Sequence, residues 1–185
     1  SGTMKLLKIA ELYNVKRFIF SSSATVYGSA YSPLSEDSTT GIGITNPYGY
    51  TKYMCEQILQ DFGKMSKMEI TILRYFNPVG AHDSGLIGDD PNGIPNNLMP
   101  YVLRVAKKNN LDNSMDDAYN SLSINGSDYK TRDGTCMRDF IHVVDLASAH
   151  VKAIQYKQEE KVEIINIGTG KGTSVKELVF AFIKF

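Results

Sequence analysis

Apolar positions at the start of the chain change period within twenty residues. Leu6, Leu7, Ala10 and Tyr13 recur at helical spacing, after which Val15 to Phe20 runs apolar and β-branched with only Lys16 and Arg17 intervening. The pattern predicts a helix feeding a buried strand. A second helix is predicted after Asn46, a capping residue, with Pro47 in its first turn and Met54, Cys55, Ile58, Leu59, Phe62 and Met65 along one apolar face. Ile70 to Phe76 is the next strand. This succession of helix and buried strand predicts an α/β protein, with a parallel sheet flanked by helices.

From Asn77 to about Pro95 the chain is rich in glycine, proline and asparagine, which predicts a long loop of the kind that carries binding residues. Leu98, Tyr101, Val102 and Val105 mark another amphipathic helix, and Lys107 to Asn120 reads as a polar surface insertion. Phe140 to Val144 is a predicted strand, with Asp145 capping the helix that carries Ala149, Val151 and Ile154. Glu163 to Ile167 is a further strand, and Ser174 with Glu177 spells a capping box. The final helix starts there, so both ends read as cut from a longer chain.

Composition excludes several classes. Twenty basic residues balance twenty acidic ones in 185, so no field recruits nucleic acid or an anionic membrane. Cys55 and Cys136 are too far apart for a zinc pair, and reduced thiols in a cytoplasmic protein are the expectation. No apolar run is long enough to span a membrane.

Candidate chemistry sits at two places. Tyr48 and Lys52 project from one face of the predicted second helix, where the ammonium would make the phenol more acidic and serviceable as an acid or base. Ser21, Ser22 and Ser23 end the first predicted strand, and ligands gather at the carboxyl ends of strands in open parallel sheets. A serine there could bond a substrate hydroxyl or merely cap the following turn. Gly168 to Ser174 is glycine-rich but fits neither phosphate-loop pattern, so a turn feeding a capped helix is preferred. His82, His142 and His150 share no ligand spacing, and no metal is expected.

The runs SSSATVYG, NPYGYTK, LRYFNPVGAH, GIPNNLMPY and MRDFIHVVDLA resemble the extended short-chain dehydrogenase/reductase family, and within it the UDP-glucose 4-epimerases. The resemblance spans the whole chain yet corresponds to a middle segment of a full-length member, which implies that residues 1–95 are the later part of a Rossmann-like NAD-binding domain and residues 96–185 part of a smaller UDP-sugar-binding domain, with 136–157 returning to the Rossmann-like sheet. It implies an NAD-dependent enzyme that interconverts UDP-glucose and UDP-galactose by oxidation and re-reduction at the sugar 4-position. Tyr48 would be the base, Lys52 would assist it and bond the nicotinamide ribose, and Ser23 would steer the proton. Tyr75, Phe76 and Pro78 would line the nicotinamide. Ser23, Ala24 and Thr25 would border the sugar. Asn77, Asn96, Asn97, Leu98, Ser123, Ile124, Asn125 and Arg138 would hold the uridine diphosphate. Asn125 and Phe140 depart from residues common in the family.

The resemblance also implies a homodimer built on the Tyr48 helix and its neighbour, with Met54, Ile58 and Leu59 apolar enough to contribute. Dehydratase relatives place an acid beside the strand-tip hydroxyl, where this chain has Ser22 and Ala24. The glycine loop and ribose-binding acid of the family's first half are absent, so the 185 residues alone are expected to be inactive. A different nucleotide-sugar epimerase or decarboxylase, or a non-catalytic binding protein on the same scaffold, stays open.

Overall fold

The computed structural model describes residues 2–111 and 121–183. The elements run α1 (Gly2–Leu12), β1 (Arg17–Ser21), a short 3-10 turn (Ala24–Tyr27), α2 (Pro47–Met65), β2 (Glu69–Tyr75), β3 (Asn77–Val79) and α3 (Leu98–Leu111). They continue with β4 (Met137–His142), α4 (Val143–Gln155), β5 (Val162–Ile167), β6 (Gly172–Ser174) and α5 (Val175–Ile183). The chain forms two compact units, Ser1–Phe76 with Asp145–Gly170, and Asn77–Val144 with Lys171–Phe185.

In the first unit β1, β2 and β5 make a parallel sheet in that order, in the register Phe18↔Ile70 and Ile70↔Val162. Strand alternation sorts its side chains onto two faces. Phe18 and Phe20, Ile70 and Ile72, Val162 and Ile164 point one way and pack with Leu7 of α1 and with Ile58, Leu59 and Phe62 of α2. Leu7, Leu59, Ile70 and Ile72 are completely buried, each contributing roughly 1.5–3 kcal/mol of hydrophobic stabilisation. On the other face Leu73, Ile165 and Ile167 meet Ala149 and Ala153 of α4 around a cavity of about 400 Å³. Parallel strands with helices on both faces are what the sequence pattern predicted.

The second unit pairs β3 with β4 in parallel and β4 with β6 antiparallel. Its apolar core is smaller, drawn from Val102 and Val105 of α3, Ile141 of β4 and Val179 of α5. A polar knot supplements it. Asp133 Oδ1 accepts from the Thr135 amide at 2.8 Å and from its hydroxyl at 2.7 Å, Asp133 Oδ2 accepts from the Ser174 hydroxyl, and Thr135 and Ser174 are fully buried. These bonds hold the Asp133 carboxyl down to about 2, the Ser174 hydroxyl being the largest cause.

Two of the three predicted helix starts have the expected chemistry. Asn46 Oδ1 accepts from the Gly49 amide at 2.7 Å, and Ser174 and Glu177 each accept the other's backbone N–H, at 3.1 and 2.9 Å. Other expectations need correction. On α2, Met54 is 53% and Met65 93% exposed, while Glu56 is fully buried. Strand β4 ends at His142, where its partner β3 ends, so Val143 and Val144 turn into α4 and Asp145 lies inside that helix rather than capping it. The Val144 amide donates to His142 Nδ1 at 3.3 Å instead. Lys107 to Leu111 continue α3 rather than opening a surface insertion, whose remaining residues, 112–120, lie outside the described residues.

Candidate active site

The end of β1 and the start of α2 bring together, within the first unit, the residues that the sequence singled out for chemistry. The Lys52 ammonium donates to the Ser21 carbonyl at 2.7 Å, lies 5.1 Å from the centre of the Phe20 ring and 5.5 Å from that of Tyr48. The lysine therefore ties the helix to the strand tip and stands beside the phenol that its spacing suggested. Tyr48 is half-exposed, as a group that meets a ligand must be. Burial, and then the neighbouring Tyr48 phenol, push the Tyr75 phenol up. Tyr75 at the end of β2 thus belongs to the same cluster.

Ser23 is buried and precedes the 3-10 turn, whose first residues bind it: its hydroxyl oxygen accepts from the Thr25 amide at 3.3 Å and from the Thr25 hydroxyl at 3.0 Å. Capping and chemistry are compatible here. A hydroxyl that accepts two bonds still has its own proton to donate, and among the described residues nothing takes it. Gly49 sets the approach of α2 to this turn: a Cβ there would lie 2.7 Å from Ile44 Cγ2 and 3.4 Å from Thr25 Cβ. Gly28 ends the turn at φ +54°, where a Cβ would fall 2.0 Å from the Ile42 carbonyl oxygen. Neither constraint was read from the sequence, although both glycines stand inside the motifs that were.

Alternation continues through the three serines. Ser21 faces α4, where its hydroxyl lies 2.9 Å from His150 Nε2. His150 Nδ1 is 2.9 Å from the Leu146 carbonyl and can only donate to it, so in the neutral ring Nε2 accepts and Ser21 donates. The His150 ring also tilts toward Tyr75, with centroids 6.2 Å apart. Ser22 turns to the opposite face and donates to Glu56 Oε1 at 2.5 Å. Glu56 is paired in turn with Arg74, Nη2 to Oε2 at 2.7 Å, and Arg74 Nη1 donates to the Tyr27 hydroxyl at 3.1 Å. This buried network was missed, because a glutamate among lysine and glutamine on a helix reads as solvated surface.

The remaining expected ligand residues are placed as follows. In the first unit, Ala24 is half-buried, Thr25 exposed and Phe76 half-buried after β2. In the second, Asn77 and Pro78 are exposed on β3 opposite Phe140 and Ile141. Asn96, Asn97, Ser123, Asn125 and Arg138 are exposed, and Leu98 and Ile124 half-buried. Asn97 Nδ2 reaches Asp89 at 3.4 Å, and Arg138 Nη1 donates to the Met137 carbonyl at 2.9 Å. His82 bonds Ser84, and no three His, Cys, Asp or Glu side chains converge as a metal site among the described residues. The glycine-rich 168–174 stretch ends in β6, paired to β4, and in the capped α5.

A parallel sheet between helices, with a Tyr-x-x-x-Lys helix bonded to a serine-bearing strand tip, defines a Rossmann-like protein of the short-chain dehydrogenase/reductase kind. Comparison with known proteins narrows this. The model of the NAD dependent epimerase/dehydratase family matches residues 1–168, and the chain belongs to that family. It is 53% identical over 187 aligned positions to a UDP-glucose 4-epimerase of Haemophilus influenzae, covering 100% of this chain and 52% of the relative. A human UDP-glucose 4-epimerase is 48% identical, with 100% and 51% covered. The crystal structure of UDP-glucose 4-epimerase from Bifidobacterium longum in complex with NAD+ and UDP superposes with a TM-score of 0.86 at 49% identity, over 98% of this chain and 52% of that one. The chain therefore spans about half the length of the relatives it matches.

Proposed function

We propose that this chain is part of an enzyme that interconverts UDP-glucose and UDP-galactose through NAD-dependent oxidation and re-reduction at the sugar 4-position. The observation that carries the reading is the Lys52 ammonium, bonded to the Ser21 carbonyl and set against the Tyr48 ring, one strand position from the Ser22–Ser23 tip. Identity near 50% to UDP-glucose 4-epimerases across the whole chain supports the choice of substrate.

The donor set suits a nicotinamide nucleotide. Lys52 uses one N–H on Ser21, and an ammonium has two more for ribose hydroxyls. Tyr75 and Phe76, and Pro78 of the second unit, are each assigned by this reading to contacts with the nicotinamide. NAD, when bound, supplies the hydride acceptor and donor. Tyr48 removes the proton of the sugar 4-hydroxyl and later returns it, acting as general base and then general acid. Lys52 holds the phenol and the ribose in register. Ser23, its acceptor sites filled by Thr25, donates its proton to the sugar oxygen and keeps that oxygen oriented. Ala24 and Thr25 border the sugar. Asn77, Asn96, Asn97, Leu98, Ser123, Ile124, Asn125 and Arg138 bind the uridine diphosphate, Arg138 pairing a phosphate.

The same reading assigns residues 1–95 to the later part of a cofactor-binding domain and residues 96–185 to part of a domain for the nucleotide sugar. It places the enzyme in the cytoplasm, in galactose metabolism, with Cys55 and Cys136 as reduced thiols. It makes the enzyme a homodimer through α1 and α2, which expose Met4, Leu12 and Met54. Leu59, fully buried, and Ile58, packed against the core, do not contribute to that face. Sedimentation of the full-length enzyme tests the dimer.

Assay of UDP-galactose conversion by the full-length enzyme tests the chemistry. Tyr48→Phe is expected to lower kcat by roughly 10²–10⁴-fold with the fold unchanged. Turnover by that variant at the wild-type rate would remove Tyr48 from the mechanism.

A further inference from the structure

Beneath the candidate site lies an ion pair that the mechanism above does not use. Glu56 follows Lys52 by one helical turn, so the inward face of α2 carries Tyr48, Lys52 and Glu56 in succession. Glu56 is 0% and Arg74 3% exposed at the side chain. The carboxylate receives Arg74 Nε at 3.1 and 3.2 Å, Arg74 Nη2 at 2.7 Å and the Ser22 hydroxyl at 2.5 Å. Arg74 in turn reaches the Tyr27 hydroxyl and the Glu36 carbonyl, and Tyr27 donates to Asn166 Oδ1 at 2.6 Å. Every partner is in the first unit.

A buried ion pair is a weak source of stability, because desolvation offsets most of its Coulomb attraction and hydrophobic replacements commonly do as well. What the arrangement supplies is position. Two tethers connect α2 to the end of β1 on consecutive residues: Lys52 to the Ser21 carbonyl, and Glu56 to the Ser22 hydroxyl. The first is a single bond from a flexible stem. The second is a short bond to a carboxylate whose own orientation is fixed by the planar guanidinium of Arg74 on the adjacent strand β2. Ser23 is the next residue, extended at φ −154° and ψ 147°, so its place follows from that of Ser22.

We propose that Glu56, oriented by Arg74, is a positioning residue that clamps Ser22 and thereby fixes Ser23 relative to Tyr48 and Lys52 on the same helix. The proposal rests on the functional reading given above. It is separate from it in what it predicts, since neither Glu56 nor Ser22 touches the reacting atoms. Removal of the clamp should leave nucleotide-sugar binding intact and slow only the step that needs Ser23 in place.

The test uses the full-length enzyme with UDP-galactose and the variants Ser22→Ala and Glu56→Gln, with thermal unfolding measured alongside. Ser22→Ala keeps the ion pair and is expected to lower kcat about tenfold, with KM within about twofold of wild type, as small misplacements near a reacting centre do. Glu56→Gln keeps the volume but leaves the Arg74 cation buried beside a neutral amide with one acceptor oxygen for Arg74 and Ser22 together, so it is expected to lower kcat at least as far as Ser22→Ala and to lower the unfolding temperature as well. Wild-type kcat in both variants, or losses no greater than the loss of folded protein, would overturn the clamp. A Ser22→Ala protein that fails to fold leaves Glu56→Gln to decide by the same criterion. If wild-type enzyme turns over no UDP-sugar, the functional reading fails. The clamp is then judged by a double-mutant cycle on unfolding, where additive Ser22→Ala and Glu56→Gln effects would refute it.

Discussion

The two units of the molecule hold the residues proposed for their sites in opposite ways. In the first, Ser23 and Lys52 are tied to backbone and side chains over a core in which Leu7, Leu59, Ile70 and Ile72 have almost no exposed surface. In the second, Asn77, Asn96, Asn97, Asn125 and Arg138 stand in solvent, and a polar knot at Asp133 supplements a small apolar core. The contrast follows from what each set is proposed to do. Groups that move a proton must be in place before reaction and bear the cost of order in the folded protein. Groups that recognise a large polar ligand can remain hydrated until it arrives.

The comparison is broken most severely by uncoupling the buried pair in the first unit. Arg74→Met alone leaves the Glu56 carboxylate buried without its cation and is expected to destabilise by about 3–5 kcal/mol, read from denaturant unfolding. Leu59→Ala opens the core between α2 and the sheet and is expected to cost about 2–5 kcal/mol by the same measurement. A loss near zero for either would mean the first unit does not depend on that packing.

Acid distinguishes the second unit. The Asp133 carboxyl is lowered from 3.8 to about 2 by its bonds to Ser174 and Thr135, so folding is favoured by its ionised form. That stability is complete above pH 3.8 and is lost as the pH falls through about 2. The protection of the Thr135 and Lys176 amides relative to their intrinsic exchange rates should fall across that window, and in Asp133→Asn that protection should no longer change with pH. The smallest effect is expected at the exposed residues proposed to hold the uridine diphosphate. Asn96→Ala and Asn125→Ala should shift unfolding by less than about 0.5 kcal/mol while weakening UDP binding in calorimetry.

How much of this was legible depends on whether the signal is local. The α2 start could be read because Asn46 and Pro47 are a cap and a first-turn residue by their own chemistry, and Ser174 and Glu177 bond each other within one turn. Tyr48 and Lys52 could be paired because helical spacing alone puts them on one face. By contrast, where β4 stops is decided by the length of its partner β3, so Val143 and Val144 read as strand yet fold as helix. The α3 helix runs on through Lys107 to Leu111 although that polar stretch offers little apolar surface. Glu56 was invisible for a related reason. Its burial depends on Arg74 and Ser22, eighteen and thirty-four positions away in sequence.

The sequence by itself determined the alternation of helix and strand, the caps at Asn46 and at Ser174 with Glu177, the Tyr48–Lys52 spacing and the motifs of the epimerase/dehydratase family. All of these are set within a few residues by dihedral preference, side-chain reach and hydrophobic period. Only the tertiary structure decided that Lys52 bonds the Ser21 carbonyl, that Ser21 and Ser22 diverge to His150 and Glu56, and that Gly28 and Gly49 admit no side chain. Those facts arise where strands and helices distant in sequence are packed against each other, and the free energy of a buried polar group is set by the partner it meets there.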